Sequence, residues 1–418
     1  MLVVAKHAKH LIAFSLASEG SEARGIISIP NVRTKAEKSM AQFRKIFALL
    51  ALVIASNTVL AQQLPVPPTL AARAWLLLEM GSGQVLTAEK PDERIEPASL
   101  TKLMTAYLTF AALRQKTIAL DQPIPVSQKA WKTGGSKMFI KVDTQVAVED
   151  LIKGMIVQSG NDACVALAEA IAGSEENFAQ MMNREAKRLG MANSNFTNST
   201  GLPDPQLYTT ARDLATLASA LIRDFPEEYK KYYSIKEFRY NNITQPNRNR
   251  LLFIDSSVDG VKTGHTEAAG YCLVSSAQRD QRRLLSVVLG TKSDATRASE
   301  SLKLLNWGFQ SYDAVTLFPK DQPVATLRVW KGTQKTVKAG FDRPFMIAVP
   351  RGYADKVKSE FTPQPRLMAP IEAGQQLGTL KVTIDGKLYG EYPVVALENV
   401  GLIGIFGRSI DSVLLWFQ

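Results

Sequence analysis

The chain has 418 residues, 45% of them hydrophobic and 21% charged, with 26 Gly, 20 Pro and a formal net charge of +11. That balance fits a globular protein of two or three domains and excludes a disordered or collagen-like chain. Two cysteines and three histidines exclude a disulfide scaffold and a cysteine-rich zinc module, and no metal or cofactor is expected.

Residues 1–39 carry six Lys/Arg and three Asp/Glu, and they precede a normal export signal. They are expected to be a disordered leader or to lie ahead of the true start. From Met40, Arg44 and Lys45 form a short positive region, residues 46–55 an apolar run, and Val59-Leu60-Ala61 a small-residue cleavage site. Residues 40–61 therefore read as a secretory signal peptide, too short to span a membrane comfortably, and the mature chain is expected outside the cytoplasm. Residues 62–418 hold 42 basic and 36 acidic side chains without a run of like charge, so no nucleic-acid partner is expected.

Two extended runs around Gly81-Ser82-Gly83 predict a hairpin over 71–89. Pro97 and apolar residues at 100, 103, 104, 107 and 108 predict a helix start. Helices are expected over 148–158, over 163–172 with Asp162 as cap, over 175–189 ending at Gly190, and over 210–223. Residues 270–278 and 282–289 predict a second hairpin. Strands at both ends with helices between them imply an α+β domain, residues 62–312, whose two hairpins share one antiparallel β-sheet flanked by helices. Short β-rich runs at 324–330, 345–349, 377–384 and 388–393 predict a small all-β domain, residues 313–398. Residues 399–418 end in Phe406, Trp416 and Phe417, with polar Arg408, Asp411 and Gln418 on one stripe. They are expected to form an amphipathic helix on a membrane surface. Cys164 and Cys272 lie in apolar runs and read as buried free thiols.

Ser99-Leu100-Thr101-Lys102 carries the chemistry. Positions i and i+3 of a helix share a face, so the Lys102 amine can reach the Ser99 hydroxyl. Serine is a poor nucleophile until a base takes its proton, and a desolvated lysine can be that base. The free N–H groups of the helix's first turn favour a developing negative charge. Ser159-Gly160-Asn161 sits between two helices, where a hydroxyl can relay a proton and an amide can bind a peptide carbonyl. In Lys262-Thr263-Gly264, the cation can lower the pKa of Lys102, Thr263 can bind a carboxylate, and Gly264 can admit a substrate close to the backbone. Lys132-Thr133-Gly134 is a second such triplet, out of chain order, and reads as a surface turn.

The ordered set Ser-x-x-Lys, Ser-x-Asn, Lys-Thr-Gly, together with Glu96-Pro-Ala-Ser99, Gln158-Ser-Gly-Asn-Asp-Ala163, Asn247-Arg248-Asn249 and Asp259-Gly-Val-Lys-Thr-Gly-His-Thr266, resembles the penicillin-recognising serine acyl-transferases. Within them the chain is most similar to the low-molecular-mass penicillin-binding proteins that are D-alanyl-D-alanine carboxypeptidases. The resemblance runs over residues 70–418 and implies a β-lactamase/transpeptidase-like fold.

It also implies roles: Ser99 as nucleophile, Lys102 as base, Ser159 as proton shuttle, and Asn161, Lys262, Thr263, Gly264 and Arg248 at the substrate. Backbone N–H groups of Ser99 and His265 would form the oxyanion hole, and the His265 ring is expected to be a hydrogen-bonded structural imidazole. Peptidoglycan stem pentapeptides are the implied substrate and β-lactam antibiotics the implied inhibitors. Localisation would be peripheral, on the periplasmic face of the inner membrane. The alternatives are a D,D-endopeptidase on peptidoglycan crosslinks and a β-lactamase-like hydrolase. Against the latter stand Ser-Gly-Asn in place of Ser-Asp-Asn and no Glu-x-x-Leu-Asn segment.

Overall fold

The computed structural model describes residues 65–320 and 322–404. The expected leader and signal peptide, and residues 405–418 of the expected tail helix, lie outside the described residues. Contrary to expectation, residues 399–404 are not helical, because Val400 is buried in the β-domain core and bridges Ile371 while Leu402 bridges Gly332. Within the described residues, no helix is long and apolar enough to cross a membrane.

Strands β1 (Ala74–Glu79) and β2 (Gln84–Glu89) form the first hairpin. A 3-10 turn at Ala98–Thr101 runs directly into helix α1 (Lys102–Arg114). The ribbon β3 (Pro123–Pro125) and β4 (Gln145–Ala147) brackets α2 (Gln128–Lys132). Helices α3 (Val148–Val157), α4 (Asn161–Ala172), α5 (Glu175–Leu189), α6 (Ala211–Asp224) and α7 (Pro226–Tyr232) follow. A second ribbon, β5 (Glu237–Tyr240) and β6 (Ile243–Pro246), and the one-turn α8 (Leu251–Ile254) lead to β7 (Val258–Thr266), β8 (Gly270–Arg279), β9 (Arg282–Thr291) and α9 (Asp294–Ser311).

The main sheet runs β2-β1-β9-β8-β7, all antiparallel, so the two predicted hairpins do share one sheet through β1 and β9. The sheet is covered on both faces. Leu76, Cys272, Val274, Leu285, Val287 and Leu289 join α1 and α3–α7 in one core. Their neighbours Trp75, Leu77, Leu273, Leu284 and Val288 pack with Leu304, Leu305 and Phe309 of α9 in another. Alternate residues thus serve opposite cores, which is why residues 284–289 of β9 are apolar except for the buried Ser286. Among the elements that escape the sequence pattern are β7 and α9. In β7, Gly, Lys and Thr interrupt any apolar alternation. In α9, Arg297 and Glu300 are buried, so its inward face reads as polar.

The second domain contains β10 (Tyr312–Phe318), β11 (Ala325–Trp330), β12 (Thr336–Gly340), β13 (Phe345–Pro350), β14 (Val357–Pro363), β15 (Leu367–Met368), β16 (Gln376–Ile384) and β17 (Lys387–Ala396). Six of them form the sheet β14-β16-β17-β12-β11-β15, while β10 pairs with β13. All four predicted runs are strands here. Val337, Ile347, Leu377, Val382 and Val394 fill its core. The Tyr389 hydroxyl donates to Gln84 Oε1 of β2 at 2.5 Å, and Arg282 Nη1 of β9 donates to the Tyr312 carbonyl at 2.7 Å. The second domain is thereby tied to the main sheet.

Leu285 is fully buried between that sheet and the helices. Leu285→Ala is expected to lower stability by about 2–5 kcal/mol in urea denaturation, from lost transfer energy plus the cavity left behind.

Candidate active site

Ser99 lies in the 3-10 turn, half-buried, and Lys102 opens α1 one turn later, 1% exposed. The predicted i, i+3 reach is realised, with Lys102 Nζ 2.9 Å from Ser99 Oγ. The same amine lies 2.7 Å from Asn161 Oδ1 and 2.6 Å from the carbonyl of Thr200. An ammonium has three N–H donors and fills all three contacts. A neutral amine has two N–H donors and a lone pair. With Asn161 and Thr200 as acceptors, the lone pair is left facing the Ser99 hydroxyl.

Asn161 is held in place from both ends. Its backbone N–H donates to the Ser136 carbonyl at 2.7 Å, and Nδ2 donates to the Gly134 carbonyl at 2.7 Å. The Lys132-Thr133-Gly134 triplet is therefore not merely a surface turn, because its glycine carbonyl orients a residue of the site. Asp162 is not the helix cap either. Gly160 occupies that position, and the buried Asp162 carboxylate accepts from the N–H groups of Met138, Phe139, Ile140 and Ala163. It fastens the 134–140 loop to the start of α4.

Lys262 reaches from β7 to the other serine, with Nζ 2.9 Å from Ser159 Oγ and 3.1 Å from the Thr263 carbonyl. Burial pulls Lys262 well below the ordinary lysine value, and the Lys102 charge pushes the same way. Burial also lowers Lys102 to about 8, with Arg248 adding to the fall and Asp162 opposing it. Of the two causes the sequence offered, desolvation and a nearby cation, desolvation is thus the main one. Cys164 and Cys272 are both free and buried; burial raises Cys164 to about 12, so it stays a neutral thiol beside the two amines.

Both reactive serines adjoin or occupy strained backbone. Ser159 itself has φ +62, and Ala98, just before Ser99, has φ +48. Such conformations cost about 1–3 kcal/mol and persist where the surroundings enforce them. Gly201 shows that enforcement. At φ +82 its missing Cβ would fall 1.8 Å from the Ala98 carbonyl oxygen. At Gly264 a Cβ would meet the Pro97 carbonyl at 3.1 Å and Leu100 Cγ at 3.2 Å. The glycine therefore lets β7 lie against the nucleophile turn, a different use from the substrate approach expected of it.

A cleft of about 500 Å³ joins these groups, lined by Ser99, Ser136, Ser159, Arg248, Thr263 and His265, among others. Asn247 and Asn249 are buried and hydrogen-bonded into the chain, through Asn247 Nδ2 to the Ile235 carbonyl and Asn249 Nδ2 to the Gly260 carbonyl. Between them Arg248 is left exposed at the cleft. His265 is exposed, and its ring packs on Tyr271 at 4.0 Å between centroids. No hydrogen bond to that ring occurs among the described residues, so it is not the structural imidazole expected. Sequence reasoning also missed Ser136, the Thr200 carbonyl and Arg297. Buried Arg297 donates to the Gly264 carbonyl at 3.1 Å.

A nucleophile and base at hydrogen-bond distance, a second hydroxyl–amine pair and a cationic cleft make an acyl-transfer site. Comparison with known proteins agrees. Residues 61–293 match the peptidase family described as D-alanyl-D-alanine carboxypeptidase. The chain belongs to the D-alanyl-D-alanine carboxypeptidase family. Residues 312–401 match the C-terminal domain of penicillin-binding protein 5. The chain is 45% identical to D-alanyl-D-alanine carboxypeptidase DacC of Escherichia coli, over 86% of this chain and 91% of that protein. It is 42% identical to DacA of Haemophilus influenzae, over 84% and 90%. The crystal structure of penicillin-binding protein 5 from Haemophilus influenzae superposes with a TM-score of 0.76 at 42% identity, covering 80% of this chain and 99% of that one. As the family implies, the enzyme is a serine D,D-carboxypeptidase.

The Lys102 shift has a consequence for stability. Its folded-state pKa of about 8 lies below the ordinary 10.5, so folding works against protonation below about pH 8. That opposition is relieved as pH rises from about 8 to 10.5. Lys102→Met removes the titration. The stability gained by the native protein relative to the variant over this pH interval is expected to be up to about 3 kcal/mol, read from urea denaturation at both ends.

Proposed function

We propose that the enzyme removes the terminal D-alanine from peptidoglycan stem pentapeptides through an acyl-enzyme on Ser99. The observation that carries this reading is the Lys102 amine, 2.9 Å from Ser99 Oγ with its other hydrogen bonds already committed.

The substrate lies along β7, the edge strand of the main sheet, with its terminal carboxylate at Thr263, Lys262 and Arg248. Asn161 holds a peptide group of the substrate. Ser99 Oγ attacks the carbonyl carbon of the penultimate D-Ala, and its proton passes to Lys102 Nζ. The oxyanion is held by the backbone N–H groups of Ser99 and His265. The C–N bond breaks, and the leaving amine takes the proton held on Lys102, relayed through the Ser159 hydroxyl with Lys262 beside it, so Lys102 is again a neutral amine. Water then attacks the ester as Lys102 accepts its proton. Ser99 Oγ leaves and recovers that proton from Lys102, so the enzyme ends as it began. A β-lactam carries its strained amide into the same position and acylates Ser99. This division assigns catalysis to residues 62–312 and leaves residues 313–398 as a supporting β-domain.

Export and attachment belong to the same reading. Residues 40–61 direct the chain across the inner membrane, and residues 405–418 bind its periplasmic surface peripherally. The support is the apolar composition at both ends.

D-Alanine release from diacetyl-Lys-D-Ala-D-Ala is the deciding assay. Native protein is expected to release it, while Ser99→Ala falls by at least about 10³-fold and loses fluorescent-penicillin labelling. Equal release by both proteins would remove Ser99 from the reaction. Deleting residues 401–418 is expected to move the protein from the membrane pellet to the soluble fraction with its activity intact. Retention in the pellet would refute the anchor.

A further inference from the structure

The Thr200 carbonyl that receives the Lys102 amine belongs to a loop with no regular secondary structure, yet nearly every polar group there is fastened. Asn198 Oδ1 accepts from the Thr200 N–H at 3.1 Å, the Thr200 hydroxyl at 2.9 Å and the Gly201 N–H at 2.7 Å. Asn198 Nδ2 donates to the Leu202 carbonyl at 3.0 Å. One carboxamide thus closes the turn on both sides of the carbonyl that Lys102 uses. The preceding residue is held from outside. Ser199 donates through N and Oγ to Glu175 Oε1 at 3.0 and 2.7 Å, and its carbonyl accepts from Thr105 Oγ1 at 2.6 Å. Gly201 then presses against the Ala98 carbonyl, next to the nucleophile.

We infer that Asn198 is a positioning residue for the reaction, holding the Thr200 carbonyl where it orients the Lys102 amine toward Ser99. This rests on the acyl-enzyme reading above. An amine free to rotate would spend its lone pair in any direction. With Asn161 Oδ1 and the Thr200 carbonyl each taking one N–H, the lone pair has one place left. A carbonyl acceptor also interacts more strongly with an ammonium than with an amine. The loop therefore helps set the pH at which Lys102 becomes a base. The other groups acting on that amine are Asp162 and Cys164 of α4, Lys262 of β7 and Arg248 at the cleft. None of them is fastened to Asn198. Nothing in the local sequence marks this role, since a backbone carbonyl has no letter of its own.

The test measures the rate of fluorescent-penicillin acylation for the full chain across the pH range spanning about 8, for native protein and three variants. Asn198→Ala is expected to lower the plateau rate roughly 10- to 100-fold, part of what an oriented base contributes. Its acid limb shifts to lower pH, because burial is then less opposed. Asn198→Asp keeps the acceptor oxygen, so most of the plateau returns, and the new carboxylate moves the limb to higher pH. Thr105→Val frees the Ser199 carbonyl without touching Asn198 and moves the limb in the same direction as Asn198→Ala by a smaller amount. It serves as the deciding variant if the alanine protein does not fold. Limbs that coincide with the native one in the folded variants, with rates falling only as the folded fraction falls, would overturn the inference. Native protein that takes no label would instead overturn the acyl-enzyme reading beneath it.

Discussion

A primary amine removed from water is the constraint around which this molecule is arranged. Lys102 gives up its hydration on entering the core, and the structure returns three oxygen acceptors at 2.6–2.9 Å. That arrangement tolerates both protonation states. The ammonium fills every contact, and the amine uses two and directs its lone pair through the third. Burial makes the second state accessible by bringing the pKa to about 8. A lysine on an exposed face would carry the same letter in the sequence and none of this chemistry.

Each acceptor comes from a different part of the fold. Ser99 belongs to the turn leading into α1, Asn161 to the start of α4, and Thr200 to the loop between α5 and α6. Their meeting requires close backbone approach, and Gly201 and Gly264 supply it on two sides of the nucleophile turn. It also requires backbone conformations that Ala98 and Ser159 would not choose in isolation. The packed helices and the doubly covered sheet hold those conformations in place, so the core offsets strain that sits at the site itself.

The second lysine works under similar rules. Lys262 lies on β7, whose residues face the start of α1 rather than solvent alone, and it is paired with Ser159. Two buried amines in one cleft disfavour double protonation, and burial disfavours protonation of each. A substrate carboxylate entering beside Arg248 would change that balance in favour of charge. The site therefore responds electrostatically to the chemistry of its ligand.

Much of this was legible in one dimension. Period-2 and period-3.6 patterning placed both hairpins and the principal helices, because those segments bury one face or two and their residues record it. The i, i+3 spacing of Ser99 and Lys102 specified their contact, since a helical turn brings those positions together wherever it forms. Strand β7 and helix α9 were not legible, as their buried faces carry Lys, Thr, Arg and Glu that read as surface. Composition alone could not place His265 on an exposed ring face, give Asp162 its loop contacts, or select a backbone carbonyl at Thr200. The last two depend on segments about 20 to 100 residues apart packing together. Sequence determined which groups are present and which neighbours share a turn. Tertiary structure decided which are cut off from water and which distant oxygens face them, because desolvation and long-range contact are properties of the packed volume.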